Sequence, residues 1–127
     1  MSKKILIVDD EAHIRSLIEQ TLEELEDEGV EFLTAENGEQ ALEIIQLQNP
    51  QLVFLDVMMP KMNGMEVCRR VKKELLLEKV YIVLLTAKGQ ELDRLRGQEV
   101  GADIYMTKPF DPEVILDKAR EVLQLEN

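Results

Sequence analysis

The stretch ILIVDD, residues 5–10, runs four apolar residues straight into two adjacent aspartates. Four apolar residues without alternation fit a strand buried on both faces, as in the middle of a parallel sheet. Asp9 and Asp10 then stand where that strand ends. Two like charges so close repel, and burial makes the repulsion worse. Whatever offsets that repulsion is part of what the protein does.

Working outward, further apolar runs lie at 30–35 (VEFLTA), 52–55 (LVFL), 80–85 (VYIVLL) and 104–106 (IYM). Helix-period segments separate them. Ile14, Leu17, Ile18, Leu22 and Leu25 form one, and Leu42 and Ile45 a second, behind a capping Asn37. Val67, Val71 and Leu75 mark a third, and Val114, Ile115, Ala119, Val122 and Leu123 the last. The segment 90–100 is the weakest helix. Only Leu92, Leu95 and Val100 are apolar there, and Gly97 costs about 1 kcal/mol relative to alanine. It is expected to be the most mobile element.

Strands and helices alternating in this way predict an α/β fold with a parallel sheet. The run 30–35, interrupted by Glu31 and Thr34, reads as an edge strand. Right-handed crossovers and the chain's size favour a five-stranded, doubly wound, flavodoxin-like sheet in the order 2-1-3-4-5 with five flanking helices. The 127 residues read as a single domain, 1–127, long enough to bury a core.

Composition narrows the function. A net charge of -11 repels nucleic-acid phosphates and anionic lipid, which argues against direct DNA or RNA binding and against a membrane surface. Cys68 is the only cysteine, so neither an internal disulfide nor a cysteine metal cluster can form. The apolar run behind MSKK is too short for a signal peptide, and VYIVLL is far too short to span a bilayer. The expected location is cytoplasmic.

In doubly wound sheets, ligands bind at the carboxyl ends of the strands. Asp9 and Asp10 follow the first strand, Asp56 the third, Thr86 the fourth and Lys108 the fifth. Each has a plainer reading alone. Asp9-Asp10 could cap a helix, Asp56 could serve the turn before Pro60, Thr86 could bond backbone, Lys108 could be a surface lysine, and Tyr105 could simply pack. Their joint placement on one rim favours a site. Three carboxylates suit a hard divalent cation such as Mg²⁺, which would offset the Asp9–Asp10 repulsion. A lysine and a hydroxyl beside them suit a phosphoryl group, and a carboxylate can itself be the nucleophile.

Four motifs then carry a resemblance: VDD (8–10), FLDVMMPKMNG (54–64), LLTAKG (84–89) and GADIYMTKPF (101–110). The chain resembles the receiver domain of bacterial two-component response regulators over essentially its whole length. The resemblance implies that Asp56 is phosphorylated and that Mg²⁺ is held by Asp10 and Asp56, by Asp9 mostly through water, and by the Met58 backbone carbonyl. It implies that Thr86 and Lys108 bind phosphoryl oxygens, that Tyr105 swings inward as Thr86 moves, and that the Lys108-Pro109 bond is cis. Met58 and Lys88 occupy positions that tune phosphate lifetime. The implied activity is a phosphorylation-activated switch, not an enzyme beyond its own phosphoryl transfer and autodephosphorylation. The implied partner is a sensor histidine kinase, docking on the first helix and the loop after the fifth strand.

The resemblance also implies either a stand-alone receiver or the input domain of a longer regulator that carries a DNA-binding domain and forms a homodimer through the fourth helix, fifth strand and fifth helix. Arg94, Asp103, Lys118 and Arg120 are candidates for the charged pairs of that interface. Ile104 departs from the family pattern, where a second acid is usual. An aspartate-nucleophile phosphatase is disfavoured because Met58 stands where its second acid belongs, and a flavin carrier because DDEAH (9–13) would repel a phosphate. The alternative that keeps the fold is a receiver-like protein-binding module that is never phosphorylated. EELEDE (23–28) reads as a solvated helix face, His13 as exposed, and Cys68 as a small buried hydrophobe.

Overall fold

The non-alternating runs lie where the sheet is covered on both faces. In the computed structural model, which describes residues 3–87 and 99–125, the strands are β1 (Lys3–Val8), β2 (Val30–Ala35), β3 (Leu52–Asp56), β4 (Tyr81–Ala87) and β5 (Ile104–Lys108). All pair in parallel, in the order β2-β1-β3-β4-β5. The helices are α1 (Ala12–Thr21), α2 (Gly38–Gln48), α3 (Gly64–Arg69) and α4 (Pro112–Leu123). The helix expected over 90–100 lies outside the described residues, apart from Glu99 and Val100, which are helical.

Strand alternation divides the core in two. Leu6, Val8, Val53, Leu55, Ile82 and Leu84 face α2 and α3, meeting Ala41, Ile45, Val67 and Val71. Ile5, Ile7, Phe54, Val83 and Leu85 face α1 and α4, meeting Ile18, Leu22, Ile115 and Ala119. Burying side chains of this size is worth about 1.5–3 kcal/mol each. The expected edge strand β2 is an edge, and its burial is mixed where the central β3 is buried throughout.

Helix starts follow their caps. Asn37 accepts from the Gln40 amide at 2.9 Å, Asn63 from Glu66 at 2.9 Å and Asp111 from Glu113 at 2.9 Å, with Pro112 opening α4. These caps set where each helix leaves its loop, and so how the rim loops run.

Two segments depart from the sequence expectation. EELEDE is a 3₁₀ turn, Glu23–Glu28, closed by Gly29 at φ 87°. Three residues per turn stack Leu22 above Leu25, and both are fully buried. The acidic face is only partly solvated, because Arg120 of α4 holds Glu24 at 2.7 Å and Glu28 at 2.9 Å. Leu17, placed by its spacing on the buried face, is 46% exposed.

α3 widens into a π turn, Arg70–Glu74, which leaves Leu75 39% exposed and turns Lys72 under the sheet. At the amino ends of β4 and β5, Lys72 donates to the Val80 carbonyl at 2.6 Å and the Glu78 carbonyl at 3.2 Å. It also pairs with Asp103 at 2.8 Å, and Asp103 accepts from the Ile82 amide at 2.8 Å. Asp103, Lys118 and Arg120, offered above for an interface between copies, therefore have partners within the chain; Lys118 pairs with Glu121 at 2.7 Å. Arg94 lies outside the described residues.

Candidate functional site

At the opposite, carboxyl end of the sheet, strand order places the charged residues side by side. Asp56 ends β3 opposite Leu85 of β4, and Lys108 ends β5 opposite Ala87. Carboxylate oxygens of Asp9, Asp10 and Asp56 lie within 4.8 Å of one another. The Lys108 ammonium is 2.8 Å from Asp9 Oδ2 and 3.2 Å from Asp56 Oδ1. Among the described residues, Lys108 is thus the side-chain cation paired with two of these three carboxylates.

The three carboxylates differ in what their surroundings leave undone. Asp9 is fully buried, and both its oxygens are used: Oδ1 accepts from the Glu11 amide at 2.9 Å and Oδ2 from Lys108 at 2.8 Å. Asp10 is exposed. Asp56 is 6% exposed, and burial, reinforced by repulsion from Asp9, raises its pKa from 3.8 to about 6 despite Lys108. For Lys108, burial opposes the charge, but the hydrogen bond to Asp9 and attraction to Asp56 outweigh it and hold the ammonium above its ordinary pKa.

This donor set fits Mg²⁺. The carboxylates are hard oxygen ligands converging on one point, with more negative charge than the paired Lys108 alone neutralises. Soft ligands are absent from the cluster, since Cys68 is buried elsewhere with its thiol pushed up to about 12 by burial.

Glycines shape the loop after Asp56. A Cβ on Gly64 would run into the Asp56 carbonyl oxygen, and one on Gly38 into the Met62 carbonyl oxygen. The loop is also laced to the sheet by Val57 N–H to the Leu85 carbonyl at 3.0 Å and Gly64 N–H to the Val57 carbonyl at 2.9 Å. Met58 is 69% exposed on it.

Thr86, 1% exposed, lies on β4 one residue past the position opposite Asp56. Tyr105 is half-buried on β5 opposite Leu84, so Thr86 and Tyr105 share a face of the sheet. The Lys108-Pro109 bond is cis. Lys88 lies outside the described residues. Gly38 and Gly64 escaped the sequence reading, and so did Arg15, whose Nη1 donates to the Asp9 carbonyl at 2.6 Å. Their signals were a glycine directly after a helix cap and an arginine one turn behind an acidic loop.

Comparison with known proteins agrees with this geometry. A family model described as the response regulator receiver domain matches residues 5–120. The chain is 43% identical over 124 residues to the alkaline phosphatase synthesis transcriptional regulatory protein PhoP of Bacillus subtilis, a match covering 98% of this chain and 50% of PhoP. It thus spans about half the length of the curated relatives it matches. Among solved structures it is similar to the BeF3-activated DrrB receiver domain, with TM-score 0.83 and 34% identity, covering 98% of this chain and 99% of that one. It is also similar to the Vibrio cholerae chemotaxis protein CheY4, with TM-score 0.81 and 33% identity, covering 96% and 99%.

Proposed function

The chain belongs to the response regulator receiver domain family, and from that premise we propose that Asp56 accepts a phosphoryl group from a sensor histidine kinase in a Mg²⁺-dependent reaction. The observation that carries this reading is the imbalance on the rim: a buried carboxylate with raised pKa, beside two further aspartates and one lysine.

With its pKa at about 6, Asp56 is mostly ionised at neutral pH and so can act as a nucleophile. A carboxylate oxygen of Asp56 bonds to phosphorus as the phosphorus–nitrogen bond of the donor phosphohistidine breaks, and the bonding pair leaves with the imidazole nitrogen. Lys108 holds a phosphoryl oxygen, a role that its 3.2 Å contact with Asp56 supports. Asp9 keeps Lys108 in position, and Asp10, Asp56 and the Met58 carbonyl would hold the cation, with Asp9 contributing mostly through water. Mg²⁺, when bound, neutralises charge on the transferring group. The phosphoryl group adds roughly two negative charges at the rim. The Thr86 hydroxyl turns toward them and Tyr105 follows inward, changing the surface of β5 and α4.

Incubation with Mg²⁺ and acetyl phosphate, read by intact mass, tests this directly. We expect one added phosphoryl group, lost in Asp56→Asn and in a metal-free sample. Failure to phosphorylate together with failure to bind beryllofluoride would overturn the reading in favour of an unphosphorylated binding module.

A further inference from the structure

α1 begins without the usual side-chain cap. Glu11 occupies the cap position, its side chain caps nothing, and the first turn contains no acid. The turn is held through Asp9 instead. The Asp9 carboxylate accepts from the Glu11 amide at 2.9 Å, and its backbone carbonyl accepts from Arg15 Nη1 at 2.6 Å. Helical side chains lean toward the helix N-terminus, so Arg15 reaches back over the first turn to the acidic loop. The Arg15 amide donates to the Glu11 carbonyl at 3.2 Å, which ties its main chain to the same turn.

We propose that Arg15 is a positioning residue for the acidic rim: its grip on the Asp9 carbonyl keeps Asp9 turned in toward Lys108 and Asp10 turned out toward the cation. This rests on the reading of the rim as a divalent-cation site. Arginine suits the task because it stays charged throughout the accessible pH range and makes a charge-assisted bond to the carbonyl. It acts through the main chain of Asp9, so it can organise the site without being a ligand. Without it, the Asp9 carbonyl loses this bond. The turn keeps the carboxylate contacts and the main-chain bonds from Asp9 N–H to the Ala35 carbonyl and from the Ile14 and Arg15 amides to the Glu11 carbonyl, while repulsion among the three acids favours opening it.

The test uses the whole chain as wild type, Arg15→Met and Arg15→Lys. Two readouts are taken: Mn²⁺ affinity by calorimetry, and amide hydrogen exchange of Glu11 in the metal-free protein, with Phe54 as a core reference. Arg15→Met is expected to weaken Mn²⁺ binding roughly tenfold, as loss of a residue supporting a metal ligand does. It should also speed Glu11 exchange about tenfold and leave Phe54 unchanged. Arg15→Lys, which can still donate one hydrogen bond, should restore most of both. Wild-type affinity in Arg15→Met would overturn the proposal. Weaker binding with unchanged Glu11 exchange would also overturn it, because charge alone would then explain the loss. Faster exchange at Phe54 as well would overturn it in favour of a general fold defect. A wild type that binds no Mn²⁺ would instead remove the cation-site reading, while the Glu11 exchange would still report whether Arg15 holds the turn.

Discussion

Each end of the sheet carries a lysine 2.8 Å from an aspartate: Lys72 and Asp103 at the amino ends of β4 and β5, Lys108 and Asp9 at the carboxyl rim. The pairs look alike and differ in stoichiometry. Below the sheet, one lysine meets one aspartate, two backbone carbonyls use its remaining donors, and a backbone amide serves the aspartate. On the rim, one lysine serves Asp9 and Asp56 while Asp10 stands beside them. A balanced pair, with every lysine donor used, carries no surplus charge and acts as structure. An unbalanced one leaves negative charge at one point, in a group of carboxylates that could hold a metal ion.

Breaking the balanced end should produce the largest change in stability. Lys72 has a side chain only 8% exposed, so Lys72→Met removes its bonds to Asp103 and to the Glu78 and Val80 carbonyls and should cost roughly 2–4 kcal/mol in urea unfolding. A loss as small as that of a surface pair would show that the two ends do not differ as argued.

At the rim the sign reverses. The folded pKa of Asp56, about 6, lies above its ordinary 3.8, so the folded chain holds that proton more tightly than the unfolded chain does. Without divalent cation, this group's contribution to stability is therefore most favourable below pH 4. It falls as pH rises from 4 to 6 and stays low above that. Asp56→Asn should remove this dependence and stabilise the metal-free protein at pH 7.5 by on the order of 1–3 kcal/mol, while abolishing phosphorylation. Destabilisation by that substitution, measured with the same urea series in EDTA, would contradict the imbalance.

The smallest effect is expected where charge pairs are solvated. Arg69 contacts Glu66 and Glu74 at 2.8 Å each, but all three side chains are more than a third exposed. Arg69→Ala should leave the urea midpoint within error of wild type. A clear shift would mean that the π turn beside it depends on these ions.

Much of the site was legible because it lies on strand ends. A run such as ILIV announces a buried strand, and the residue after it must emerge at the rim, so Asp9, Asp56, Thr86 and Lys108 could be placed by counting. Arg15, Gly38 and Gly64 were not legible. Their roles depend on what another part of the chain brings near: a carbonyl at Asp9, at Met62 and at Asp56. Arg120 shows the same limit. The sequence offers it for a charged pair between copies, and only the packing of α4 beside the 3₁₀ turn brings it to Glu24 and Glu28.

The sequence by itself determined the alternation of strands and helices, the choice of central and edge strands, and the residue types that reach the rim, because hydrophobic period and caps are local properties of the chain. Only the tertiary structure decided how those charges are shared. Strand order sets which carboxylates Lys108 touches, burial raises the pKa of Asp56, and the packed α3 directs Lys72 to Asp103. Electrostatic energy depends on distance and on the surrounding medium, and both exist only once the chain has folded.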